Sequence, residues 1–311
     1  MKRSIKRILS VLTLVFLLGG LIGCAQKGDV KEKGEETVKG DKIGVVLSTL
    51  NNPFFVSMKE GAEAKAKELG YELVVLDSQN DAAKERSNVE DLVQQGIKVL
   101  IINPTDSDAV ANSVNVANDA KIPVITVDRK SNGGEVISHI ASDNIKGGEM
   151  AGNFILEQLK DKKEIKVIEI QGLPGASATR ERGKGFHNVV DGKTNIKVVA
   201  SQAADFDRTK GLTVMENIIQ AQSDFDAVFA HNDEMALGAV KALKTANKNI
   251  IVVGFDGNAD AKDAIQKGDM SATIAQQPKQ MGSTAIENAI KVAKGETVEK
   301  EIPVELEIVT K

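Results

Sequence analysis

The sequence predicts an α/β protein made of two doubly wound parallel-sheet lobes joined by a three-crossover hinge, and three observations carry that prediction. Short β-branched or Leu-rich runs recur without polar alternation, as strands buried on both faces do. Longer amphipathic segments separate most of them, and repeated strand–helix units imply parallel sheets covered on both sides. The strands are also too numerous for one comfortable sheet. A chain of 311 residues, 41% hydrophobic and 27% charged, has the length for two domains.

Residues 1–23 read as a signal peptide outside the fold. Lys2, Arg3, Lys6 and Arg7 form a basic start, and the apolar stretch Ile8 to Ile22 falls short of the roughly 20 residues a membrane-spanning helix needs. It ends in Leu21-Ile22-Gly23-Cys24, which is similar to the bacterial lipobox, where a lipid joins the Cys sulfur and cleavage follows just before it. Cys24 is the only cysteine, so an intrachain disulfide is ruled out, and no Cys/His cluster has zinc-ligand spacing. Residues 24–41, rich in Gly, Lys and Glu, read as a lipidated flexible tether with an r.m.s. span on the order of 20 to 25 Å.

Strands are expected at Ile43 to Leu47, Glu72 to Leu76, Val99 to Ile102, Val124 to Val127 and Val136 to Ile140, then at Ile165 to Ile170, Ile196 to Ala200, Ala227 to Ala230, Ile250 to Val253, Ala272 to Ala275 and Val304 to Ile308. Helical patterns lie between them, among them Phe54 to Leu69, Ala82 to Gln95, Asp106 to Ala120, Gly147 to Leu159, Arg208 to Ile219 and Asp233 to Thr245. Breaks fall near Ser142-Asp143-Asn144, where a strand runs into a polar helix start, near Gln276-Gln277-Pro278 and near Ile302-Pro303. The first lobe is then expected to comprise 42–142 and 277–303, and the second 143–276 and 304–311.

Several chemistries are excluded. A net charge of −4 and a pI near 5.6 offer no concentrated basic surface for a phosphate backbone, so no nucleic-acid partner is expected. There is no G-x-x-x-x-G-K-[ST] loop, and the glycines of 172–185 form no dinucleotide fingerprint. The run from Asp256 to Asp260 starts like a calcium loop but has Ala261 where Gly is needed and Lys267 where a bidentate Glu belongs. No metal and no cofactor are expected.

Ligands of open parallel sheets bind beyond the carboxyl ends of the strands, so the residues there carry the functional information. The first strand runs into Ser48-Thr49-Leu50-Asn51-Asn52-Pro53-Phe54-Phe55, the third into Asn103 and the fourth into Asp128-Arg129. Later strands lead to Phe206, to His231-Asn232-Asp233, to Gly254-Phe255-Asp256 and to Gln276. Each has a purely structural reading as well: Asn52 or Asp233 as a helix cap, Asn103-Pro104 as a turn, Asp128-Arg129 as an exposed ion pair, the Phe rings as core. Together they form a kit for a sugar. Carboxylates accept from hydroxyls, Arg and Asn donate to oxygens, and aromatic faces pack on the C–H faces of the ring.

The strings VVLSTLNNPFFVSMKEGA, INPTDSDAV, IPVITVDR, SHIASDN, ATRERGKGF, ADFDRTKGL, HNDEMALGA, VVGFDG and ATIAQQP resemble the ribose-binding members of the type I periplasmic binding proteins, receptors of bacterial ABC importers, over nearly all of Asp41 to Lys311. The resemblance implies a D-ribopyranose held between the lobes. It matches Ser48, Asn52, Phe54, Phe55, Asn103, Asp128 and Arg129 to the first lobe's binding positions, Arg182, Phe206, Asn232, Phe255 and Asp256 to the second's, and Gln276 to the hinge's. It implies that Phe55 and Phe206 flank the ring while Asp128, Arg129, Arg182 and Asp256 take its hydroxyls. His231 stands where the family pattern has Gln and is expected to alter the rim of the site. The implied partners are an ABC permease with its ATPase and, as a further reader of the closed form, a chemoreceptor; the receptor is expected to be monomeric and not an enzyme. The tether and lipobox imply a version anchored through Cys24 to the outer face of the cell membrane.

Three other readings stand beside this one. A sugar-responsive repressor of the LacI type shares the two-lobed fold but needs an N-terminal helix-turn-helix, where this chain has an export leader. A glycoside hydrolase would use Asp128 and Asp256 as its carboxylate pair, though Arg129 beside Asp128 favours the ionised acceptor over a proton donor. A receptor for allose or a furanosyl signal is the third. The absence of Trp argues against the galactose/glucose-type receptors, which the resemblance suggests stack on Trp.

Overall fold

The computed structural model describes residues 41–311; the expected signal peptide, the lipidation site Cys24 and the tether up to residue 40 lie outside the described residues. The chain begins with β1 (Lys42–Leu47), α1 (Pro53–Leu69), β2 (Glu72–Asp77), α2 (Ala82–Gln94), β3 (Val99–Ile102), α3 (Val110–Asp119), β4 (Val124–Val127) and β5 (Ser138–Ala141). It continues through α4 (Asn144–Gln158), β6 (Ile165–Gln171), α5 (Ser177–Val190), β7 (Ile196–Ala203), α6 (Arg208–Ala221), β8 (Ala227–Ala230), α7 (Asp233–Thr245), β9 (Ile251–Asp256), α8 (Ala259–Lys267) and β10 (Ala272–Ala275). The final elements are α9 (Pro278–Ala293), β11 (Glu301–Pro303) and β12 (Glu307–Val309).

Two six-stranded sheets result, in the orders β11-β5-β4-β3-β1-β2 and β12-β10-β9-β8-β6-β7. All pairings are parallel except that of β12 with β10. The chain passes from one sheet to the other three times, after β5, after β10 and after β11. In each sheet the strand order reverses beside the first strand of its lobe, β1 or β6, and such a switch point opens a crevice at the carboxyl ends of the strands.

The lack of polar alternation has a direct cause. Ile43, Val45, Leu47, Ile101 and Val127 face α1 and α9 on one side of the first sheet, while Val46, Leu100, Ile102 and Val124 face α2 and α3 on the other. Alternate side chains of each strand point to opposite faces, and both faces are core. The second sheet repeats this, with Ile168, Ile170 and Val228 under α6 and α7 and Val167, Phe229 and Phe255 under α4 and α5.

The structure corrects four expected elements. Val304 to Ile308 is not one strand: Val304 packs into the first lobe's core and Leu306 against the second's, so the apolar run straddles a crossing between β11 and β12. β5 starts at Ser138, later than the apolar run from Val136. α3 starts at Val110 because Asp106 Oδ1 accepts from the amides of Asp108 and Ala109 and first turns the chain. α4 starts earlier than expected, at Asn144, capped by Asp143, whose carboxylate accepts from Lys146 N at 2.9 Å.

Helices α1 and α9, far apart in sequence, pack backbone to backbone. A Cβ on Gly282 would stand 2.0 Å from Met58 O, and one on Gly61 2.1 Å from Lys279 O. Gly282→Ala is therefore expected to destabilise the fold by about 1–3 kcal/mol through overpacking, read as a lower urea midpoint; an unchanged midpoint contradicts the close packing.

Candidate functional site

On the first lobe, Asn52 ends the loop after β1 and caps α1, its Oδ1 accepting from Phe54 N at 2.9 Å. Pro53 supplies a helical φ at the first position. This start places Phe54 and Phe55 in the first turn, their rings edge to face with centroids 5.2 Å apart. Beyond β4, Asp128 takes a left-handed conformation (φ 64). Asn103, beyond β3, holds it there: its Nδ2 donates to Val127 O at 3.1 Å and to Asp128 Oδ2 at 3.0 Å, while its Oδ1 accepts from Ser48 N at 3.3 Å. Arg129 donates to Pro104 O at 3.1 Å and lies 3.6 Å from Asp128.

On the second lobe, Arg182 projects from α5. Its Nε donates to Asn144 Oδ1 at 2.8 Å and its Nη1 to His231 O at 2.6 Å, and its guanidinium lies 3.7 Å from the Phe255 ring centroid. Asp256 Oδ1 is 3.6 Å from Arg182 Nη1 and accepts from Gln276 Nε2 at 3.0 Å. Asn232 caps α7, accepting from Met235 N at 3.0 Å, and donates to Phe206 O at 3.3 Å. Phe206 fits because Gly172 has no side chain: a Cβ there would meet the ring at 2.1 Å.

The two sets converge. Arg129 lies 5.2 Å from the ring centroids of both Phe55 and Phe206, one ring from each lobe, at cation–π distance. Nine of the thirteen predicted binding residues, Asn52, Phe54, Phe55, Asp128, Arg129, Arg182, Phe206, Asn232 and Asp256, line one small cavity together with Ala178. The other four do not line it. Ser48 and Asn103 brace Asp128, Phe255 lies under Arg182, and Gln276 holds Asp256. Beside the cavity the lobes touch directly: Ser107 N donates to Gly175 O at 2.9 Å and Lys130 N to Ser177 Oγ at 2.9 Å. The lobes are closed on one another.

Asp128-Arg129 is not the exposed pair that a purely structural reading allowed; the two residues are 4% and 3% exposed. Burial pushes both Asp128 and Asp256 carboxyls up, opposed by the neighbouring guanidiniums, and pushes both arginines down. Two formal negative and two formal positive charges share the cavity, so it suits a neutral ligand that can both donate and accept. Ser48 Oγ, Arg129 Nε and Gln276 Oε1 are buried without a hydrogen-bond partner among the described residues, and hydrogen-bonding capacity of this kind is costly to leave unused. Three residues of the lining, Asp128, Phe206 and Asp256, have positive φ (64, 61 and 118). Such backbone costs roughly 1–3 kcal/mol per residue and clusters at functional sites.

His231 does not alter the rim. Its side chain is fully buried away from the cavity, with Nε2 3.0 Å from Glu169 Oε1, and only its carbonyl reaches Arg182. Glu169 also accepts from Ser201 Oγ at 2.6 Å and Gln171 Nε2 at 2.9 Å. Burial pushes the Glu169 carboxyl up, but the His231 and Ser201 hydrogen bonds and the neighbouring His187 outweigh it and hold it at about 2. Burial lowers His231, which is therefore a neutral donor. Arg182, Asn144 and Ala178 are the site residues that strand-end inspection misses, because all three sit on helices; the family resemblance supplied Arg182, and the only signal for Asn144 was its place in the Ser142-Asp143-Asn144 break.

A family model described as "Periplasmic binding protein domain" matches residues 43–297. The protein named "Ribose import binding protein RbsB" of Bacillus subtilis (strain 168) is 50% identical over 310 residues, covering 100% of this chain and 99% of that protein. Its namesake from Escherichia coli (strain K12) is 57% identical over 272 residues, covering 87% of this chain and 91% of that one. Among solved structures, an ABC transporter solute binding protein from Mycobacterium smegmatis with bound glycerol superposes with a TM-score of 0.84 at 38% identity, covering 88% of this chain and 94% of that chain.

The Glu169 network yields a pH-dependent stability. A carboxyl held below its ordinary value stabilises the fold above about pH 4.5, and that contribution is lost as pH falls towards 2; a His lowered by burial loses stability below about 6.5. His231→Leu is expected to cost about 1–3 kcal/mol at pH 7, with the gap to the parent narrowing steadily towards pH 3 in urea denaturation. A gap independent of pH contradicts the assignment.

Proposed function

The chain belongs to the periplasmic binding protein family, and from that premise we propose that it captures D-ribose between its lobes outside the cytoplasm and delivers it to an ABC importer. The observation that carries this reading is the closed cavity in which each lobe contributes one carboxylate, one guanidinium and aromatic surface. A pentose is neutral, and its hydroxyls accept from Arg129 and Arg182 while donating to Asp128 and Asp256. Phe55 and Phe206 face its C–H surfaces. Ser48, Asn103, Phe255 and Gln276 complete the binding set from behind the lining.

Only the closed arrangement brings both lobes' groups to one ligand. Sugar therefore favours closure by its difference in affinity for the two states. The closed form docks on the permease, and opening there separates the two halves of the site and releases the sugar. Asp128 and Asp256 act as acceptors in a receptor without chemistry of its own. The Leu21-Ile22-Gly23-Cys24 motif supports anchoring through Cys24 to the outer face of the cell membrane, on a tether ending near residue 41. We read the receptor as a monomer with a chemoreceptor as a second partner of the closed form.

Calorimetric titration with a pentose and hexose panel tests the reading. Ribose is expected to bind tightest, and Asp128→Ala or Arg182→Ala to weaken it by roughly 2 to 4 kcal/mol, each leaving desolvated partners unpaired. Unchanged ribose affinity in both variants contradicts the site, and tighter binding of allose or a furanose contradicts the choice of sugar. Gly175→Ala tests closure separately. Gly175 is absent from the left-handed region, so Ala fits its backbone, but the added Cβ would stand 1.8 Å from Asp106 Oδ2 of the other lobe. That variant is expected to keep the parent melting temperature and to bind ribose more weakly, because closure then forces the Asp106 carboxylate out of its hydrogen bonds to Asp108 N and Ala109 N; tighter binding than the parent's contradicts the closure requirement.

A further inference from the structure

Glu85, on α2, is fully buried and absent from the cavity lining. Its Oε2 accepts from Thr105 N at 2.7 Å, while its Oε1 has no hydrogen-bond partner among the described residues. Thr105 closes the short segment Asn103-Pro104-Thr105 beyond β3. The other two residues of that segment orient the first lobe's charged pair: Asn103 donates to Asp128 Oδ2, and the Pro104 carbonyl accepts from Arg129. One buried carboxylate thus fixes the backbone on which both groups depend.

That carboxylate is expensive to keep. Burial pushes it up to about 7, countered by the Thr105 hydrogen bonds and Arg129 and aggravated by Asp106, the charged groups that face it from the loops beyond β4 and β3. An apolar side chain of similar volume would remove that cost but would leave Thr105 N without its acceptor. The carboxylate is thus retained where it supports the backbone of the charged pair.

We propose that Glu85 is a positioning residue of the sugar site, holding Asn103-Pro104-Thr105 and through it Asp128 and Arg129 without touching the sugar. The inference rests on the receptor reading above. Its test compares Glu85→Gln, which keeps an oxygen acceptor for Thr105 N, with Glu85→Met, which keeps the volume and removes the acceptor. By ribose calorimetry, Glu85→Gln is expected within about threefold of the parent and Glu85→Met about tenfold or more weaker. Removal of the buried charge and loss of the Thr105 acceptor act in opposite directions on stability, so the melting temperature of Glu85→Met is expected within a few degrees of the parent's, and a tenfold loss of affinity without unfolding is what a merely structural role would not produce. Parent-like ribose affinity in Glu85→Met overturns the inference, as does a Glu85→Gln variant as weak as Glu85→Met. Hydrogen exchange without sugar reads the link independently. Faster exchange at the Thr105 amide in Glu85→Met than in Glu85→Gln is expected, and equal rates overturn the inference. A parent that binds no ribose would fail the receptor reading while this exchange comparison still decides the role of Glu85.

Discussion

Burying four charges in one cavity is the constraint on which the rest of the structure depends. Asp128, Arg129, Arg182 and Asp256 are each at most 4% exposed. An ionised group taken from water costs several kcal/mol unless charge and hydrogen bonds are returned to it. The molecule returns them from every direction. Asn103 and the Pro104 carbonyl serve the first lobe's pair, while Asn144, the His231 carbonyl, Gln276 and the face of Phe255 serve the second's. The charges also depend on one another across the lobes: the Arg182 guanidinium acts on Asp128, and Asp256 on Arg129. Separating the lobes exposes the quartet to water, and closing them demands something that satisfies it. Ligand capture and domain closure are in this sense one electrostatic requirement.

The scaffold meets the requirement through rigidity. Both faces of each sheet are packed core, so the strand ends are fixed platforms, and the functional groups sit within a few residues of them or on the first turns of the helices that follow. The strained backbone at Asp128, Phe206 and Asp256 is tolerable there because neighbouring hydrogen bonds and packing over-determine it. The hinge consists of three strand-end crossings, and two of them carry site groups: Asn144 on the first and Gln276 on the second. The orientation of Arg182 and Asp256 is thereby tied to the segments that join the lobes.

The fold was legible because its strands are buried on both sides and so form apolar runs that need no partner to be recognised. It failed where a run was apolar for two reasons at once, at Val304 to Ile308, whose two halves belong to different cores. Helix starts shifted because the Asp106 carboxylate forms a turn ahead of α3 and Asp143 caps α4, local effects that overrode the apolar period. The site was legible where chemistry stood at strand ends, and the family resemblance supplied Arg182, which lies on a helix and carries no such signal. Burial was not legible. Nothing in the order of residues shows that Asp128-Arg129 is enclosed, that the His231 side chain turns inward to Glu169, or that Glu85 meets Thr105. These contacts join segments 20 to 62 residues apart, and only the folded packing creates them.

A crystal structure of the complex with D-ribose decides whether one sugar engages both lobes. Closed lobes are expected, with sugar hydroxyls within hydrogen-bond distance of Asp128, Arg129, Arg182 and Asp256 and the ring between Phe55 and Phe206. A sugar bound to the groups of one lobe alone, or lobes that remain apart around it, would rule out capture by both lobes together.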